Sequence, residues 1–125
     1  MTHLRGVKPA LSADRDPLKK APSPPRYFSE HAKAEWRRIM PRLIEDRIIT
    51  KADLGGVEDF CMARGIAREV EAVLRDSSGA IDPKLFRVLN QAMQTAKQLA
   101  GEYGLTPVSR ARVGSGPADE DGFLE

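Results

Sequence analysis

DPKLFRVLNQAMQTAKQLAGEYG, Asp82 to Gly104, carries a start signal, a stop signal and one period between them. Asp82 can cap a helix, and Pro83 suits the first helical position, where its missing N–H is not needed. Gly104 suits the residue just past the end, where a left-handed backbone is easiest without a β-carbon. Between them Leu85, Phe86, Leu89, Ala92, Met93, Ala96, Leu99, Ala100 and Tyr103 recur every three or four residues. The spacing predicts a helix from about Pro83 to Tyr103, roughly 30 Å long. Its apolar stripe is broad, about half the helix surface. Either the first helix of the chain covers all of it, or part of it faces a second copy. Phe86, Leu89, Met93, Leu99 and Tyr103 are the candidates for that second contact.

Upstream, DSSGAIDP breaks the chain, and a further helix is expected from about Lys51 to Asp76. Leu54, Val57, Cys61, Val70, Val73 and Leu74 are its apolar positions. Thr50 followed by Asp53 has the spacing of a capping box. Gly55, Gly56 and Gly65 weaken this helix by about 1 kcal/mol each relative to alanine. Gly55 and Gly56 either admit a close neighbour or fray. The short link makes these two helices antiparallel neighbours.

A first helix is expected to begin at Ser29, a favoured N-cap. Ala32, Trp36, Ile39, Met40, Leu43 and Ile44 form its buried stripe, with Trp36 as a core anchor. Arg38 and Arg42 fall on the opposite side, with Arg37 on its shoulder. Pro41 lies inside the pattern and is expected to kink or restart the helix. The fold class is all-α: a small helical domain over residues 29–113 with a central antiparallel hairpin. A flexible basic leader, 1–28, precedes it, and a flexible acidic tail, 114–125, follows.

The net charge of +2 is small, but its distribution is uneven. Residues 1–47 carry 11 Lys/Arg and 6 Asp/Glu, whereas 105–125 carry 2 and 4. Positive charge therefore sits at the front. The leader holds Arg5, Lys8, Lys19, Lys20 and Arg26 among prolines, with too little apolar surface to offset its ordering entropy. It is either a solvated segment or a basic arm that touches phosphate without reading bases. The acidic tail ends in Phe123 and Leu124; it is a docking peptide or plain disorder.

Thr106 and Pro107 can start a new turn after Gly104, placing Arg110 and Arg112 beside a helix N-terminus. There they are solvated, or they clamp phosphate or carboxylate. Catalytic groups do not converge. Cys61 is the single cysteine, and His3 and His31 are the only histidines. None falls in metal-ligand spacing, and no phosphate-binding glycine loop is present. No enzyme, metal or cofactor is expected. No apolar run approaches a membrane span or a signal peptide, so a soluble cytoplasmic protein is expected.

The corner YGLTPVSRARV, Tyr103–Val113, preceded by Trp36, Ile39, Pro41, Leu43, the IITKAD stretch at Ile48–Asp53 and Cys61, resembles the small terminase subunit of tailed double-stranded DNA phages and their prophages. The match covers roughly residues 29–113. The resemblance implies a non-catalytic DNA-packaging recognition subunit that assembles as a homo-oligomeric ring. It implies double-stranded DNA and the large ATPase-nuclease subunit as partners. On that view Arg37, Arg38, Arg42 and the leader cations Arg5, Lys8, Lys19, Lys20 and Arg26 are the first candidates for DNA contact. Arg110 and Arg112 are second candidates; they could instead bridge subunits through carboxylates such as Glu69 or Glu71. Three rival readings remain: a helix-turn-helix regulator, a helical protein-binding adaptor and, last in rank, an enzyme with a cryptic site. The acidic start KADLGGVEDF has few base-reading side chains, which argues against the regulator.

Overall fold

A computed structural model describes residues 16–77 and 79–106. Helix α1 spans Glu30–Glu45, a 3₁₀ turn spans Lys51–Asp53, α2 spans Leu54–Asp76 and α3 spans Pro83–Glu102. No strand occurs among the described residues. The fold is all-α, as expected. Helix α2 packs against both α1 and α3. Gly56 near the start of α2 meets Tyr103 at the end of α3, so the two helices are antiparallel.

The caps explain the boundaries. The Ser29 side chain accepts from the Ala32 N–H at 3.1 Å and opens α1. Asp82 accepts from the Lys84 N–H at 2.9 Å, with Pro83 at the first helical position. Thr50 donates from its backbone N–H and its hydroxyl to Asp53, at 2.8 and 3.1 Å. That box opens a 3₁₀ turn, which tightens the helix entry before α geometry sets in at Leu54. At the end of α3, Gly104 has φ 69° and the Leu105 N–H reaches back to the Ala100 carbonyl at 2.9 Å. This pattern satisfies carbonyls that the last turn would leave open.

Helix α1 ends in the same way, but with an arginine in the left-handed position. Arg47 has φ 54°, its N–H bonds the Ile44 carbonyl at 3.1 Å, and Ile48 N–H bonds the Leu43 carbonyl at 3.2 Å. The expected break at Pro41 does not occur, because α1 runs through it to Glu45. The donor that Pro41 lacks would have served the Arg37 carbonyl, and both residues are exposed, so water can take its place.

The core joins Trp36, Ile39, Met40 and Leu43 of α1 to Val57, Phe60, Cys61 and Ala63 of α2. Ile49 from the connecting loop and Phe28 ahead of α1 complete it. Phe28 meets Trp36 edge-to-face at 5.7 Å. From α3 the buried side chains are Ala92, Ala96 and Ala100, one turn apart, which lets α3 lie close on α2. Val73, expected on the apolar face of α2, is exposed instead; Phe60, Ala63 and Ala67 are buried there.

Residues 16–28, expected as part of the leader, are tied to the helices. Leu18 donates its N–H to the Ile49 carbonyl at 3.0 Å, and the Trp36 indole donates to the Pro22 carbonyl at 2.9 Å. Leu18 also packs against the core. The segment has few apolar residues, but Leu18 and Phe28 are enough to anchor it where the indole supplies a donor.

Candidate nucleic-acid interface

Four cations from three helices line one continuous concave surface. Arg38 and Arg42 are one turn apart on α1, a spacing that puts both on the same face. Arg64 comes from α2 and Lys97 from α3. Phe60, Met93, Ala96 and Ala100 form the apolar part of the groove between them. Leu105 stands at its end, beside both Arg38 and Arg42. The left-handed turn at Gly104 is what places Leu105 there, since it turns the chain back over the last carbonyls of α3.

The four cations are not equivalent. Arg38 forms an ion pair with Glu35, and Arg42 pairs with Asp46 at 2.8 Å. Each guanidinium has its pKa raised by the hydrogen bond to its carboxylate. Arg64 and Lys97 have no carboxylate partner among the described residues. A phosphate at this surface would meet two cations that lack a carboxylate partner among the described residues, and would compete with Glu35 and Asp46 for the other two.

The neighbouring chemistry is quiet. Burial, reinforced by the Glu35 charge, pushes the Cys61 thiol up to about 12. At neutral pH it is a protonated core residue rather than a nucleophile. Tyr103 is raised chiefly by burial and further by Asp53, Glu102 and Asp59. Among the described residues no group of His, Cys, Asp and Glu could hold a metal ion. No helix there is long and apolar enough to cross a membrane.

The structure divides the sequence candidates. It brings Arg38 and Arg42 together and adds Arg64 and Lys97, which the sequence reading did not single out. Arg37 is exposed but does not line this groove. Lys19, Lys20 and Arg26 are exposed on the segment ahead of α1. Arg5, Lys8, Arg110 and Arg112 lie outside the described residues. Glu71, one possible partner for Arg110, is paired with Arg75 at 3.4 Å.

The candidates for contact with a second copy divide too. Phe86 and Met93 are exposed, at 51% and 42%. Leu89, Leu99 and Tyr103 are half-buried, and Leu99 and Tyr103 pack against the core. A second apolar patch lies on the far side of the hairpin, where exposed Met62 and Ile66 of α2 face exposed Val88 of α3. The spacing of Met62 and Ile66 could have shown that patch, because they are one turn apart on α2.

No curated protein and no solved structure matches the chain. A family model described as phage terminase, small subunit, matches residues 32–120. The matched span takes in α2, α3, all of α1 but its first two residues, and every cation of the groove.

Proposed function

The chain belongs to the phage terminase small-subunit family, and from that premise we propose that it is the non-catalytic DNA-recognition subunit of the packaging machine. Membership of that family makes it a phage DNA-packaging subunit. In the proposed role identical copies form a ring and hold duplex DNA on the groove between α1 and α3. The ring then delivers the DNA to the large ATPase-nuclease subunit. The observation that carries this reading is the convergence of Arg38, Arg42, Arg64 and Lys97 from three helices on one surface.

Electrostatics and geometry both favour repetition. A few phosphate contacts in one copy bind weakly, whereas linked copies gain through effective concentration. Met62, Ile66 and Val88 expose apolar surface apart from the groove. A contact made through that patch leaves the groove cations open to DNA, and head-to-tail contacts generate rings when the rotation closes.

Native mass spectrometry of the full chain, alone and with a duplex, tests the reading. The expected result is a closed assembly of several identical chains that retains DNA at low salt. Ile66→Glu should break the assembly while far-UV circular dichroism stays helical. A chain that remains monomeric at micromolar concentration and leaves the duplex free would overturn the proposal.

A further inference from the structure

We infer that the groove between α1 and α3 has a second occupant: the acidic end of this same chain, residues 118–125, which competes with DNA for it. The inference rests on the reading of the groove as the phosphate-binding surface and adds its regulation.

The sequence ADEDGFLE, Ala118–Glu125, places Asp119, Glu120, Asp121 and Glu125 around Phe123 and Leu124. The groove offers the complementary set. Arg64 and Lys97 lack a carboxylate partner among the described residues, and Met93 between them is 42% exposed. Carboxylates on those cations and a phenyl or leucyl side chain on Met93 and Leu105 would satisfy both halves of the surface at once. Phosphate can satisfy only the first.

The connection is short and starts in the right place. Leu105 lines the groove, and the described chain leaves it at Thr106. Residues 107–117 then link that point to the acidic segment, and 11 residues reach at most about 36 Å. Along α3 the groove from Leu105 back to Met93 is only about 18 Å long. The tail can therefore return over its whole length. Tethering at an effective concentration of about 1 mM, with an intrinsic tail affinity of about 0.2 mM, would close the groove about five-sixths of the time. DNA affinity would be lowered about sixfold.

The test compares the full chain with a variant carrying Asp119→Asn, Glu120→Gln, Asp121→Asn and Glu125→Gln. Amide spectra by nuclear magnetic resonance should differ at Arg64, Met93, Lys97 and Leu105. Unchanged signals at those four residues would overturn the inference, whatever the DNA does. Fluorescence anisotropy with a duplex at about 50 mM salt should show about sixfold tighter binding by the neutralised variant. In an Arg64→Ala, Lys97→Ala background the same neutralisation should change affinity less than about twofold. An equal gain in both backgrounds would mean general repulsion and would sink the idea. If no variant binds DNA, the packaging reading fails, while the amide comparison still decides whether the tail docks.

Discussion

Replacing Trp36 removes the anchor that joins the segment ahead of α1 to the helices. The side chain is 2% exposed, lies edge-on to Phe28 at 5.7 Å and donates its indole N–H to the Pro22 carbonyl at 2.9 Å. Burying about 200 Å² of aromatic surface contributes about 5 kcal/mol at 25 cal/mol/Å², an upper value because denatured chains bury some of it. Trp36→Ala should therefore cost about 3–5 kcal/mol. A domain of this size has a total stability of about 5–15 kcal/mol, so that variant lies near the unfolding threshold. Trp36→Phe keeps most of the ring and loses the indole donor, at a cost of about 1–2 kcal/mol. Urea unfolding followed by far-UV circular dichroism measures both, since the only tryptophan is lost as a fluorescent probe. Trp36→Phe should also speed trypsin cleavage after Lys19 and Lys20, because the Pro22 tether is gone. A Trp36→Ala protein within 1 kcal/mol of the parent (roughly the lower edge of large core effects) would refute the placement.

Other outcomes follow from single contacts. A β-carbon at Gly56 would collide with the Tyr103 hydroxyl, so Gly56→Ala should lose about 1–3 kcal/mol, and Gly56→Ala with Tyr103→Phe should recover part of it, both read from urea midpoints. Arg47 holds φ 54°, which costs an L residue about 1 kcal/mol, so Arg47→Gly should raise the urea midpoint by about 0.5–1 kcal/mol equivalent. The Cys61 thiol is raised to about 12 in the folded chain, so its contribution is fully present below the unfolded pKa of about 8.5. That contribution is lost as pH rises toward 12, by at most about 1.4 kcal/mol per pH unit. Between pH 8 and 10, Cys61→Ala should lose less stability than the parent; parallel profiles would contradict the burial of the thiol.

The sequence showed helix ends where the capping residue was of the usual type. Asp82-Pro83 and Gly104 bound α3 almost to the residue, and Ser29 opens α1. The end of α1 was not legible, because an arginine occupies the position where glycine is the signal. From the sequence alone Gly65 reads only as a residue that weakens α2. A β-carbon there would lie 3.1 Å from the Ala32 nitrogen, so its absence lets α1 cross α2 closely. Of the two other glycines, Gly56 serves Tyr103 in that way, while Gly55 has nothing near it.

Half of the groove could be seen in advance. Arg38 and Arg42 share a helix, and the helical period alone puts them on one face. Arg64 and Lys97 belong to different helices, and only the packing of α1 and α3 on α2 brings them to the same surface. Spacing within one helix carries no information about that meeting. Phe28 escaped for a similar reason: a lone aromatic in a proline-rich stretch has no period, and its value comes from the Trp36 ring across the chain.

The central claim is that the cations of three helices act together on a DNA backbone. Duplex affinity across a salt series, for the parent and for Arg64→Ala with Lys97→Ala, tests it most directly. The parent should show a steep fall of log K with log salt, and the variant a shallower one, by about 0.9 for each lost phosphate contact. Identical slopes and affinities for the two proteins would contradict the account.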